Sequence, residues 1–186
     1  MKQILVPLVL LLGICYHTVA QDQDASNPQV SLGVGYFGEL FTHPGISLFG
    51  EVDLPEISWL VRSSLVYYRH AGHTHNGLLL PELAWRKQVF RQSFMEVSAG
   101  AGVLFQRPDA PVWAYAEDGS FQEVAGWRAY FSPAIGARIG RSLSLSGGQE
   151  LLPSLGGRLF SLYPFNDMWL MRGAIDISLS VKISKP

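Results

Sequence analysis

The stretch Trp169-Leu170-Met171-Arg172-Gly173-Ala174-Ile175-Asp176-Ile177-Ser178-Leu179-Ser180-Val181-Lys182-Ile183 places an apolar side chain or glycine at every odd position. From Arg172 on, every even position carries a small or charged residue. A period of two held for fifteen residues specifies a strand with two unlike faces. That is longer than most strands of soluble proteins, and the faces differ as a lipid-facing surface and a watery or ion-paired interior would. The chain reads as a small all-β membrane barrel.

Alternating runs bounded by Gly, Pro, Asn or Asp predict eight strands within a barrel domain over 29–184. They are Gln29–Gly38, Gly45–Asp53, Ile57–Arg69, Gly77–Arg86, Ser93–Gln106, Trp127–Ile139, Ser142–Leu152 and Met168–Ser184. An even number returns the C-terminus to the side of the N-terminus, as in an antiparallel up-and-down transmembrane barrel. The links Asp53–Ile57, Arg86–Ser93 and Ile139–Ser142 are short, whereas Gln106–Trp127 and Leu152–Met168 are long. Short turns on one side and longer loops on the other match an outer-membrane barrel with its termini in the periplasm.

One face of these strands carries Val34, Leu48, Leu65, Leu79, Val97, Phe131 and the odd positions of the last strand, and is assigned to lipid. Tyr36, Tyr67, Phe105, Trp127 and Trp169 then fall at one level, with Trp59 and Trp85 at the other. Amphipathic rings at two levels are the interfacial girdles of a spanning barrel. The opposite face carries Glu51, Asp53, Arg62, Glu82, Arg86, Glu96, Arg128, Arg138, Glu150, Arg172, Asp176 and Lys182 among Gly and Ser. Eight strands leave room inside only for side chains, and buried charges persist there only in pairs. A plugged, ion-paired lumen follows. Alternation alone does not give the sign of the faces, so a soluble secreted β-protein with its apolar face inward is the alternative fold reading.

Lys2, an apolar run from Ile4 to Cys15 and then Thr18-Val19-Ala20 have the order of a secretory signal peptide over 1–20. Residues 21–28 are polar and aperiodic, and read as a periplasmic leader. Leu12-Gly13-Ile14-Cys15 is close to a lipoprotein cleavage box, but Ile14 is bulky where a small residue is expected, so an ordinary signal is favoured. Cys15 is the only cysteine, which excludes disulfides, thiol catalysis and cysteine-based zinc sites from the mature chain. After Ala20 the chain holds 13 basic and 15 acidic residues, with only Lys87, Lys182 and Lys185 as lysines. That sparse, balanced charge argues against both a water-facing exterior and nucleic-acid binding.

The segment Arg69-His70-Ala71-Gly72-His73-Thr74-His75-Asn76-Gly77 offers three imidazoles, His70, His73 and His75, as metal candidates. No carboxylate lies within the segment, and a loop does not fix ligand geometry, so a solvated polar loop without metal or cofactor is the favoured reading. His43, in the Thr42-His43-Pro44-Gly45 turn, lies on the neighbouring hairpin and could supply a fourth imidazole. The aromatic loops over 107–126 and 153–167 are where an extracellular ligand would dock, although folding over the barrel mouth as a cap is favoured.

His73-Thr74-His75-Asn76-Gly77 resembles the His-x-Ser-Asn segment of the outer-membrane lipid A deacylases, eight-stranded barrels that use His, Ser and Glu. His75 stands where that family has its serine, and Ser63 has no histidine two residues away. Gly35-Tyr36-Phe37-Gly38-Glu39 and Thr42-His43-Pro44-Gly45 resemble segments of small eight-stranded outer-membrane barrels of Gram-negative, Bacteroidetes-like bacteria, a resemblance that covers residues 29–184 and carries no activity. It implies residence in outer-membrane lipid and delivery by the barrel-insertion machinery. Many such barrels end in an aromatic residue that this machinery reads, whereas here Ile183 is followed by Ser184-Lys185-Pro186. The expected role is structural or surface-interacting and non-enzymatic, with a deacylase-like hydrolase as the alternative.

Overall fold

The computed structural model describes residues 28–183 except 41, 55–56, 112, 116–118, 124–125 and 146–148, and the side chains at 114–115 and 122–123. The expected signal segment 1–20, all of the leader but Pro28, and residues 184–186 lie outside the described residues. Eight long strands form the structure: β1 Val30–Glu39, β2 His43–Leu54, β3 Trp59–His70, β4 Thr74–Phe90, β5 Ser93–Pro108, β6 Arg128–Arg141, β7 Glu150–Phe165 and β8 Met168–Ile183. Each pairs antiparallel with the next, and β8 closes on β1 from Val30↔Ile183 to Glu39↔Ala174. Both termini of the barrel lie at one end, called here the terminal end. The opposite loop end carries the β5–β6 connection, which holds a small hairpin of Trp113–Tyr115 with Phe121–Glu123.

The pairing register fixes the barrel's dimensions. From Val30 it runs through Val52, Val61, Leu83, Ala99, Ile135, Leu159 and Gly173, whose carbonyl accepts from the Leu40 amide, ten residues beyond the start. A stagger of that size around eight strands tilts them by about 40° and leaves an interior filled by side chains. At Gly102 a Cβ atom would lie 2.0 Å from the Leu79 carbonyl oxygen, so the close approach of β5 to β4 requires glycine there.

The faces divide as the alternation predicts. Leu32, Leu48, Leu65, Val97, Ile135, Leu159 and Ile177 point outward, each with more than two fifths of its surface exposed. Inward residues are buried, and no apolar core lies outside the barrel wall among the described residues. Tyr36, Tyr67, Phe105, Trp127 and Trp169 are all exposed toward the loop end, where Trp169 stacks on Tyr163 at 4.6 Å between ring centroids. Trp59 and Trp85, exposed near the terminal end, are direct cross-strand partners.

The expected seventh strand over Ser142–Leu152 and the loop over 153–167 are overturned. β7 runs instead from Glu150 to Phe165 and turns into β8 through Asn166 and Asp167, whose φ angles of 49° and 62° suit a tight two-residue hairpin turn. Pro153, Gly156-Gly157 and Pro164 read as breakers. In place, Pro153 sits opposite Leu179 within the ladder, and Pro164 falls where the β7–β8 register shifts between Leu162 and Phe165, a position that tolerates a missing donor. The link before β7 is correspondingly longer than the short turn expected, spanning 142–149 with a two-residue bridge at Leu143–Ser144. A ligand-docking loop at 153–167 therefore does not exist, whereas the connection expected over 107–126 is present over 109–127.

The outward assignment of β5 makes Val97→Arg a direct test. Near the bilayer midplane it should cost about 2–4 kcal/mol, while Val97→Leu should leave stability within about 1 kcal/mol. Reversible urea unfolding in lipid vesicles checks this, and equal effects of the two changes would contradict the assignment.

Candidate functional site

The lumen is built in layers. In the half nearer the terminal end, neighbouring strands place opposite charges side by side: Glu51↔Arg62, Arg62↔Glu82, Arg86↔Glu96 and Glu96↔Arg138 are all direct cross-strand partners. Arg62 Nε donates to Glu51 Oε1 at 2.7 Å, and its Nη2 donates to Glu96 Oε1 at 2.5 Å. Arg86 Nη2 bridges Glu51 Oε2 and Glu96 Oε2, each at 2.8 Å. Arg138 reaches Glu51 at 3.6 Å. A second group joins Arg158 to Glu82 at 2.9 Å and to Asp176 at 3.7 Å. The layer thus holds four carboxylates and four guanidiniums. Phe49 underlies Arg62 and Arg138, and Phe94 underlies Arg86 with 4.7 Å from guanidinium carbon to ring centroid. The free space beside Arg62, Glu96 and Asp176 is about 10 Å³, room for one water at most.

Toward the loop end this ionic layer gives way to an apolar plug of Phe37, Val66, Tyr68, Leu78, Leu80, Leu104, Phe160 and Leu162, all essentially inaccessible. Toward the terminal end the lumen opens into a vestibule of about 560 Å³ lined in part by Asp53, Arg86, Glu150 and Lys182. Lys182 bridges Asp53 at 3.0 Å and Glu150 at 3.8 Å there, so Glu150 belongs to the vestibule and not to the buried network. Arg128 stands half-buried at the loop end of β6, away from that network. Arg172 also lies at the loop end, where its Nη1 donates to Glu39 Oε1 at 2.6 Å.

Two acidic or basic members of the lumen, Arg158 and Glu39, and the apolar plug are absent from the sequence expectation. Arg158 was hidden in the stretch read as a loop, although the even-position spacing from Glu150 through Leu152 and Ser154 leads to it. Glu39 was read as part of a turn, although Phe37 and the inward glycines Gly33 and Gly35 share its parity.

The three candidate histidines do not converge. The hairpin between β3 and β4 pairs Arg69↔His75 and His70↔Thr74 around the turn that holds exposed His73. His70 therefore faces the lumen and His75 faces out. His75 Nδ1 is 2.6 Å from the Tyr67 hydroxyl, and its Nε2 is 2.9 Å from Asp109 Oδ1, which also meets Arg69 through Oδ2 at 3.2 Å. No serine hydroxyl takes part in this chain of contacts among the described residues, and Asn76 turns inward to bond Thr74 and Gln106. The His-x-Ser-Asn likeness thus places an imidazole, engaged with Tyr67 and Asp109, at the position of the serine. The imidazole that does approach His70 is His43, with which it stacks at 3.5 Å between centroids. Both rings aim a nitrogen at Glu39 Oε2, His43 Nδ1 from 3.0 Å and His70 Nε2 more closely.

Because Glu96 accepts from Arg62 and Arg86, removing it leaves these two cations to share Glu51 with Arg138, and the layer carries an uncompensated positive charge. Glu96→Ala should cost about 3–5 kcal/mol, against less than about 1 kcal/mol for Arg69→Ala in the exposed pair with Asp109. Urea unfolding of the refolded barrel measures both, and similar losses would contradict the buried network.

Neither a protein-family model nor a curated protein matches this chain. Among solved structures it is similar to Neisserial surface protein A, at 9% identity over 85% of this chain and 96% of that one, with a TM-score of 0.52. It is also similar to the N-terminal β-barrel domain of Pseudomonas aeruginosa OprF, at 14% identity over 84% and 99% of the two chains and a TM-score of 0.46. A third likeness is to the outer membrane enzyme PagL, at 19% identity over 84% and 99% and a TM-score of 0.39. At such identities the likeness to the neisserial protein is one of fold, and the chain accordingly has the closed eight-stranded antiparallel barrel found in outer-membrane proteins.

Proposed function

We propose that this chain resides in the bacterial outer membrane as a sealed barrel with a structural or surface-interaction role. The observation that carries the reading is the inversion of the usual protein interior: apolar side chains cover the outer wall while the interior holds a neutral lattice of ion pairs. Such an exterior is far larger than the apolar patches a soluble monomer exposes, and a band of it flanked by aromatic levels fits a bilayer. The soluble alternative requires the apolar face to point inward, opposite to the observed faces.

Outer-membrane lipid is then the principal partner, and delivery through the secretory signal and the barrel-insertion machinery follows from that address. The likeness of the Gly35–Glu39 and Thr42–Gly45 segments to barrels of Gram-negative, Bacteroidetes-like bacteria supports the same placement. Contact with an extracellular ligand is assigned to the 109–127 connection, where Trp113 and Phe121 are exposed. A solute pore is disfavoured by the ionic layer and the apolar plug in series, and deacylation by the lack of a serine at His75.

The purified protein should show heat-shifted gel mobility and fractionate with the outer membrane. In planar bilayers it should give no large steady conductance. A stable wide pore would contradict the sealed-lumen reading, and recovery in the soluble fraction would contradict the membrane one.

A further inference from the structure

We propose that Glu39, His43 and His70 form a binding site for one divalent transition-metal ion of the zinc class at the loop-end mouth of the lumen. The three come from the end of β1, the start of β2 and the end of β3, and Glu39 and His43 are direct partners across the first hairpin. One ligand atom from each lies within 4.8 Å of the other two. Ligand atoms on a tetrahedral zinc ion stand about 3.3 Å apart, so the two imidazoles, stacked in the absence of an ion, turn about their side-chain bonds to bring their in-plane lone pairs onto one point. Two neutral imidazoles and one carboxylate are a donor set that zinc takes with a fourth position left for water or another ligand.

The surrounding groups fit this use. Glu39 is fully buried, and its two oxygens are divided: Oε1 accepts from Arg172 at 2.6 Å, while Oε2 faces both histidines. Arg172 therefore orients the carboxylate from behind, as hydrogen-bonded outer partners of metal ligands do. Its Nη1 also lies 3.3 Å from His70 Nε2, and the Thr42 hydroxyl lies 3.3 Å from His43 Nδ1, contacts that the ion would replace. Metal binding uses the neutral tautomers that carry their protons on the far nitrogens, His43 Nε2 and His70 Nδ1, so that Nδ1 of His43 and Nε2 of His70 offer their lone pairs. The side chains of His43 and His70 are 26% and 14% exposed, so the site is open toward the loop end while the plug of Phe37, Tyr68 and Phe160 seals it from the lumen below.

The test is titration of the full barrel in detergent with Zn2+ by calorimetry and with Co2+ by visible absorption. One equivalent should bind, with the strong absorption of a tetrahedral cobalt site and a zinc-dependent rise in melting temperature. His43→Asn, at the rim, should weaken affinity by more than about tenfold with heat-shifted mobility retained. His73→Gln with His75→Gln should leave binding unchanged. Failure of the unaltered protein to bind one equivalent would overturn the proposal. So would full affinity in a folded His43→Asn barrel, or loss of binding in the His73→Gln, His75→Gln variant. Because the titration is independent of conductance and membrane fractionation, its failure leaves the sealed-barrel reading standing.

Discussion

Closure of the sheet at a stagger of ten residues is the constraint on which the rest depends. In a bilayer an open edge would leave a row of amides and carbonyls with neither water nor partner, so β1 must find β8. Once eight strands close at this stagger the interior is too narrow for a channel and too large to be left empty. Every inward side chain is then part of a packing problem, and each inward charge must meet an opposite one within a few ångströms.

The solution is layered because the two ends meet different surroundings. At the terminal end, Asp53, Glu150 and Lys182 line the open vestibule and stay partly exposed. In the middle, four carboxylates and four guanidiniums cancel, all largely buried and only Arg86 reaching the vestibule. Pairing offsets a desolvation cost of several kcal/mol per ion, so the layer contributes uniqueness of register more than net stability. A one-residue slip between β2 and β3 would turn Glu51 and Arg62 to opposite sides of the wall, which fixes the pairing sharply. Above the ions, Phe37, Phe160 and their neighbours fill the barrel with apolar volume, which separates the ionic layer from Glu39, His43, His70 and Arg172 at the mouth.

Much of this was legible in the chain. The period in Trp169–Ile183 and its weaker counterparts located seven of the eight strands and divided each into two faces, because every outward position shares one apolar chemistry. β7 escaped notice because its prolines and paired glycines carry the signals of a loop, and only the ladder to β6 and β8 reveals that they are tolerated. Losing β7 concealed Arg158 and left Glu82 and Asp176 without their partner. The mouth cluster was half visible: hairpin proximity suggested His43 beside His70. Glu39 was masked by its place at the turn of the first hairpin, opposite His43, and only Arg172 depends on the closure of β8 on β1 to reach the cluster. His75 shows the reverse error, close to His70 in sequence and on the opposite face of the barrel wall.

The central claim is that apolar side chains meet lipid while the even positions of β8 are locked inside. Nitroxide scanning of single cysteines over residues 174–181 in vesicles, with Cys15 absent, measures it most directly. Molecular oxygen should reach the labels with a period of two, maximal at 175, 177, 179 and 181, while labels at 174, 176, 178 and 180 are immobilised and shielded. Odd positions relaxed instead by a water-soluble nickel chelate, or even positions that sense lipid, would contradict the account.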